Sequence, residues 1–353
     1  VTFLGSMQSK QNKENFNFIS KIKKFYNKKK INKKIKDFEK KYLNFKSDDK
    51  THLLRSIDWI KNAQDAFPDG GISRAFNLYG ENFKSPSAFL GYKLGDNFTY
   101  HHKVVSYFEH VSNTSSNVKL ISYGKTYEGR PLLVAVISSE ENMEMIEDLR
   151  MDNLKRAGIA KGQASNKKVG IVWLSYNVHG NEANSTEAAM KTLYSLASKN
   201  NKKTQDWLKN TVVIIDPCIN PDGRDRYTNW FRMTANRWPD ADPLSIEHME
   251  PWPGGRTNHY YFDLNRDWAW QTQIESQSRI KLYNQWLPHI HVDFHEQGVN
   301  SPYFFAPAAE PFHEYITDWQ RELQTMIGKN HSKYFDENSW LYFTKEVFDL
   351  LYP

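Results

Sequence analysis

Cysteine is almost missing from this chain. Cys218 is the only one in 353 residues. No intrachain disulfide can staple the fold, and such sparing use fits a reducing compartment. Long apolar runs are missing too: nothing approaches the ~18 consecutive apolar residues that a membrane-spanning helix needs. The opening residues, VTFLGSMQSK, lack the apolar centre of a secretory signal. No segment repeats another. What remains is a chain long enough for one large domain or two modest ones, rich in aromatics and ordinary in charge.

The net charge of +6 is unevenly placed. Residues 1–50 hold 15 lysines against five acidic residues, a net of +10, so the remainder carries −4. The basic character therefore belongs to an arm and says nothing about the main body. Within residues 8–50, Phe18, Ile19, Ile22, Phe25, Ile31, Ile35 and Phe38 recur at roughly helical spacing. This reads either as a basic amphipathic helix for an anionic surface or nonspecific nucleic-acid contact, or as a solvated leader with no core of its own.

Residues 51–87 change character. Leu53, Leu54, Ile57, Trp59 and Ile60 suit an amphipathic helix closed by the turn Pro68-Asp-Gly-Gly. The pattern WIKNAQDAFPDGGIS resembles the opening helix of α/α-barrel domains in bacterial polysaccharide-modifying proteins. These residues read as a helical extension or a foreign fragment joined near Ser85-Pro86-Ser87.

From Ala88 onward the sequence reads as one domain, residues 88–353. Helices are expected over 99–111, 140–156, 184–199, 275–286 and most of 311–335. Buried strands are expected over 118–138 in two runs, then 168–176, 211–215 and 290–294. Asn184 is the expected N-cap of its helix, with Glu187 as reciprocal cap. Asn220-Pro-Asp-Gly is expected to be a turn, and residues 224–262, full of aromatics, prolines and glycines, a long ordered loop. Continuous apolar strands alternating with amphipathic helices imply an α/β domain with a mixed, mostly buried β-sheet flanked by helices.

The chemistry-bearing stretch is Val169–Glu187, VGIVWLSYNVHGNEANSTE. His179 and Glu182 stand three apart just beyond a buried strand, and both reach one metal ion if the backbone turns sharply, which Gly180 permits. An open zinc site commonly has three protein ligands. The third candidate is His295, at the end of the strand in HIHVDFHEQG, because ligands in α/β sheets gather beyond the carboxyl ends of strands. The bland alternative for His295 is a histidine satisfied by backbone. A second group is GGRTNHYYFDLNRDW (254–268), which gathers Arg256, Asp263, Asn265 and Arg266. An arginine fork binds a free carboxylate bidentately, an asparagine amide adds a donor, and a second arginine can stabilise an oxyanion. The alternative is an exposed arginine pair in a polar loop.

HGNE, NPDG, GRTN with FDLNRDW, and VDFH, in that order, resemble the zinc carboxypeptidases of the M14 (carboxypeptidase A-like) family. GRxN followed by DLNR resembles its N/E-type branch. The resemblance runs over roughly Phe89–Pro353. It implies a metallopeptidase that removes C-terminal residues from peptides or proteins by zinc-activated water. It implies one Zn2+ held by His179, Glu182 and His295, and Asp263 accepting from the far nitrogen of His179. It further implies Asn265 and Arg266 on the substrate carboxylate, and Arg256, rather than Arg232 or Arg237, on the scissile carbonyl. The family's general-base Glu is expected beyond Pro353, since Glu296 points away and Glu346 comes too early. The chain is accordingly expected to be C-terminally truncated and inactive or weak. The family is usually exported, although no signal is visible in this sequence. Two other readings use the same residues: a zinc deacylase of N-acyl amino acids, and a non-catalytic peptide- or glycan-binding module.

Overall fold

A computed structural model describes residues 83–298 and 301–343. The basic arm, the likeness to a polysaccharide-associated helix and Glu346 lie outside the described residues. The chain divides after His295 into two compact units.

In the first unit the elements run α1 (Pro86–Leu90), α2 (His101–Thr114), β1 (Val118–Lys125), β2 (Pro131–Ile137), α3 (Glu140–Glu144), α4 (Ile146–Arg156), β3 (Gly170–Tyr176), α5 (Asn184–Ala197), α6 (Lys202–Leu208), β4 (Thr211–Asp216), α7 (Pro221–Thr234), α8 (Ile274–Trp286) and β5 (Ile290–Phe294). The second unit has β6 (Tyr303–Phe304), α9 (Asp318–Glu337) and β7 (Tyr342–Phe343), with β6 and β7 paired in parallel. Helix α9 opens on a capping box, in which Thr317 and Gln320 satisfy each other's backbone N–H. Among the described residues no helix is long and apolar enough to cross a membrane.

The sheet order is β1-β2-β4-β3-β5. The β1–β2 and β2–β4 pairs are antiparallel, and β3 is parallel to both β4 and β5. This is the mixed sheet expected from the apolar runs. Because side chains alternate across a strand, each run feeds two cores. Leu133, Ala135, Ile137, Val213 and Ile215 join α2 and α5 residues such as Tyr107, Phe108 and Leu193 on one face. Val134, Val136, Val212, Ile214, Ile171 and Trp173 meet Ile146, Leu149, Leu282 and Trp286 of α4 and α8 on the other. Both faces being covered is why β2 and β4 read as continuous apolar runs rather than alternating ones.

Several local expectations change. Helix α1 spans the boundary expected at residues 87/88, and Phe83, on its N-terminal side, is buried in the first core. The helical stretch 140–156 breaks at Met145 into two helices. Asn184 is the first residue of α5, not its cap: Ala183 occupies the cap position and makes no side-chain cap bond. Glu187 turns away from the helix end because its carboxylate accepts from Thr99 and from the fully buried Arg224. NPDG is not a free turn. Asn220 caps α7 by accepting from the Gly223 N–H, with Pro221 in the first turn, so the expected loop at 224–262 is helical to Thr234. The segment 311–317 is irregular, and helix begins at Asp318.

Candidate metal centre

The parallel strands β3 and β5 end side by side, with Tyr176 paired to Phe294. The chain leaves β3 through Asn177, which has a φ of 60° and is fully buried. Its Nδ2 donates to the carbonyls of His179 (2.7 Å), Gly180 (3.2 Å) and Glu182 (3.0 Å). Its Oδ1 accepts from Thr186 Oγ1, Cys218 Sγ and Arg224 Nη1. One side chain therefore winds the following loop around itself and anchors it to α5 and α7. The left-handed residue is Asn177 and not Gly180, whose φ is not positive. Gly180 is required for a different reason: a Cβ there would collide with the backbone of Gly223, Arg224 and Gly255. Gly223 and Gly255 are equally hemmed in, a Cβ on the first meeting the carbonyls of Gly255 and Thr257 and one on the second the carbonyl of Gly223. The HGNE, NPDG and GGR segments are thus in main-chain contact.

This framework brings together the first set of expected residues. Among the described residues, His179, Glu182 and His295 form a group that could hold a metal ion, each offering one ligand atom, all within 4.8 Å of one another. His179 Nδ1 lies 2.8 Å from Glu182 Oε1, and His295 Nδ1 lies 3.1 Å from Glu182 Oε2. The two imidazoles are 5.0 Å apart, centre to centre. Behind them, His179 Nε2 is 3.1 Å from Asp263 Oδ1 and His295 Nε2 is 3.2 Å from Asp293 Oδ2. Both rings thus point Nδ1 inward and bind a carboxylate at Nε2.

The electrostatics follow from three carboxylates crowded on two imidazoles. Burial pushes the Glu182 carboxyl up, but the hydrogen bonds and charges of His179 and His295 outweigh it and bring the group to about 2. Asp293, and then Glu182, raise His295 to about 10 against the effect of burial. Burial also opposes ionisation of Asp263, yet the Asn265 N–H, His179 and Arg256 hold it below the usual range. Two rings each fixed by a carboxylate, with an excess of negative charge at their centre, favour a cation there.

The second set is also adjacent, within limits. Arg256 Nη2 donates to Asp263 Oδ2 at 3.0 Å. Its own carbonyl receives Gly180 N–H and Asn220 Nδ2, which ties this segment to the ligand loop and to the α7 cap. Asp263 also caps the short 3-10 turn Leu264–Arg266 by accepting from the Asn265 N–H. Asn265 is half-buried and Arg266 exposed. Arg232 and Arg237 are engaged elsewhere, the first on the Phe98 carbonyl and the Tyr100 ring, the second on the Trp238 ring. Cys218 is buried beside Asn177, and burial pushes its thiol up to about 12, so it offers no reactive thiolate.

Sequence reasoning missed Asn177, Asp293 and Arg224. Asp293 was readable as the every-second-residue partner of His295. Asn177 and Arg224 were not, because most of what they hold is main chain.

Residues 104–301 match the family model of the M14 peptidases, zinc carboxypeptidase. No curated protein matches the chain. Among solved structures, it is similar to a metallo-carboxypeptidase from Burkholderia cenocepacia, with 16% identity over 69% of this chain and 52% of that one and a TM-score of 0.47. It is similar to carboxypeptidase A from Helicoverpa armigera, with 17% identity over 74% and 60% and a TM-score of 0.47. It is also similar to bovine thrombin-activatable fibrinolysis inhibitor in complex with tick carboxypeptidase inhibitor, with 14% identity over 70% and 76% and a TM-score of 0.44. The chain therefore spans half to three-fifths of the length of the first two.

Proposed function

This chain belongs to the M14 zinc carboxypeptidase family, and from that premise we propose that His179, Glu182 and His295 hold one zinc ion in a site for hydrolysing C-terminal peptide bonds. The observation that carries the reading is the convergence of both Nδ1 atoms on the two oxygens of Glu182, with Asp263 and Asp293 behind them. The donor set fits zinc, which takes imidazole nitrogen and carboxylate oxygen and keeps a position open in catalytic sites. When bound, zinc supplies a Lewis acid that activates water for attack on a carbonyl.

The chain's own residues divide the remaining work. Asp263 and Asp293 fix the tautomer and aim of the two imidazoles. Asp263 also orients Arg256, whose side chain is 47% exposed and can reach a scissile carbonyl and the oxyanion that forms from it. Asn265 and Arg266, on the 3-10 turn capped by Asp263, grip the terminal carboxylate of a peptide. The N/E-type likeness of GRTN and DLNR supports this assignment over a deacylase. The carboxylates that touch the triad are all committed: Glu182 to the ion, and Asp263 and Asp293 to imidazole. None of them is left to take a proton from water. That favours carboxylate recognition with weak turnover as the behaviour of these residues by themselves, and keeps a peptide-binding role as the second reading.

The test is metal content after dialysis against zinc. The chain should retain about one equivalent, and His179→Ala with His295→Ala should abolish retention. A double variant that still holds a full equivalent overturns the assignment. Calorimetry with a free-carboxylate peptide and its amide then separates binding from hydrolysis, the acid binding and the amide failing to.

A further inference from the structure

The face of the sheet beneath α8 carries charges that the metal chemistry above leaves unused. Asp216 on β4, Ser175 on β3 and Asp293 on β5 are register partners across three adjacent strands, so their side chains form one row. Helix α8 covers this face through Leu282 and Trp286. One turn earlier it presents Arg279, fully buried, its guanidinium carbon 3.6 Å from the centre of the Trp268 ring.

None of the three Arg279 side-chain nitrogens has a hydrogen-bond partner in the protein, and neither do the buried Oδ1 atoms of Asp216 and Asp293. Tyr123, Asp216, Asp293 and Asp267 all attract the guanidinium charge. Two of these groups are spent. Asp267 accepts from Thr272 and Gln273, and Tyr123 donates to Asp216 Oδ2. The acceptors left for five guanidinium N–H groups are the two orphaned Oδ1 atoms. A buried cation without acceptors is among the costliest arrangements in a protein, and ordered water is the usual bridge where direct contact is absent.

We infer that Arg279 is a positioning residue for His295: through buried water it holds Asp293 Oδ1, and so fixes the carboxylate whose other oxygen binds His295 Nε2. The ligand's aim is then set from the opposite side of the sheet row, by a residue that touches neither metal nor substrate. This rests on the zinc reading above.

The experiment uses the full chain, a competing chromogenic chelator to read zinc affinity, and the visible spectrum of the cobalt-substituted site. Arg279→Gln should weaken zinc binding by roughly tenfold or more, the order found for partners behind metal ligands, and should alter the cobalt bands. Arg279→Lys, which keeps the charge, should restore most of the affinity. On an Asp293→Asn background, Arg279→Gln should add little, because both act through one carboxylate. Wild-type affinity and spectrum in Arg279→Gln, with only the melting temperature lowered, would make Arg279 purely structural and overturn the inference. Fully additive losses would do the same. If Arg279→Gln does not fold, a high-resolution crystal structure decides: a water joining the guanidinium to Asp293 Oδ1 supports the link, and a guanidinium bound only to other groups refutes it. A wild-type chain that binds no zinc fails the underlying reading instead, and this inference falls with it.

Discussion

Replacing Asn177 tests whether the ligand loop is built around one amide. Asn177→Ala removes two N–H donors shared by three carbonyls and an acceptor used by the buried Arg224 guanidinium. At ~1 kcal/mol for each hydrogen bond lost, that is about 3 kcal/mol. Part returns, because Arg224 Nη1 also donates to Ala183 O and Thr186 to Pro217 O. The φ of 60° adds a separate cost. Asparagine tolerates the left-handed region and alanine does not, a difference of ~1 kcal/mol. The expected loss is roughly 3–4 kcal/mol, a large share of the 5–15 kcal/mol that holds an ordinary domain. Asn177→Asp separates the contributions. It keeps the shape and the dihedral preference but turns a carboxylate oxygen toward three carbonyl oxygens. The assay is urea unfolding followed by circular dichroism, with zinc affinity measured on the same samples. Both variants should be strongly destabilised and should bind zinc more weakly. A loss below ~1 kcal/mol in Asn177→Ala, or near wild-type stability in Asn177→Asp, would refute the reasoning.

Two other predictions concern the frame around the site. His101 is buried, donates from Nε2 to Pro131 O, and is lowered by burial from 6.5 to about 4. The unfolded chain takes up this proton near pH 6.5 while the folded chain resists until near pH 4. Stability should therefore fall as pH drops through that window, by up to ~3 kcal/mol. His101→Gln should flatten the fall in urea midpoints, and an unchanged slope would show that another group is responsible. Gly180→Ala forces a Cβ into three backbone segments, and should cost ~3 kcal/mol or more together with zinc retention. A soluble, zinc-binding Gly180→Ala variant would mean that those segments do not meet as described.

The sheet was legible because β2 and β4 are buried on both faces and so carry unbroken apolar runs. The metal triad was legible because its members are the residue types that zinc needs, at strand ends. Helix α7 was not, for a physical reason. Its buried positions include Asp222, Arg224 and Asp225, made tolerable by Thr126, Arg130, Glu187 and Thr99 from distant parts of the chain. No apolar period of 3.6 could appear. The start signal was present nonetheless: Asn220 followed by Pro221 is a cap and a first-turn proline. Glu187 misled in the opposite way, since the spacing of a capping box was there and a buried arginine drew the carboxylate elsewhere. Asn177 was invisible because most of the groups it holds are main-chain carbonyls, which every residue possesses.

The meeting of Gly180, Gly223 and Gly255 also has a genetic consequence. A side-chain obstruction can be relieved by trimming the neighbour, so a damaging substitution there can be suppressed by a second one. Here the neighbour of each glycine is peptide backbone, which no substitution removes. Suppressor screens begun from Gly180→Ala should therefore return reversion to glycine, or insertions that re-space a loop, and not compensating point changes in residues 220–224 or 254–257.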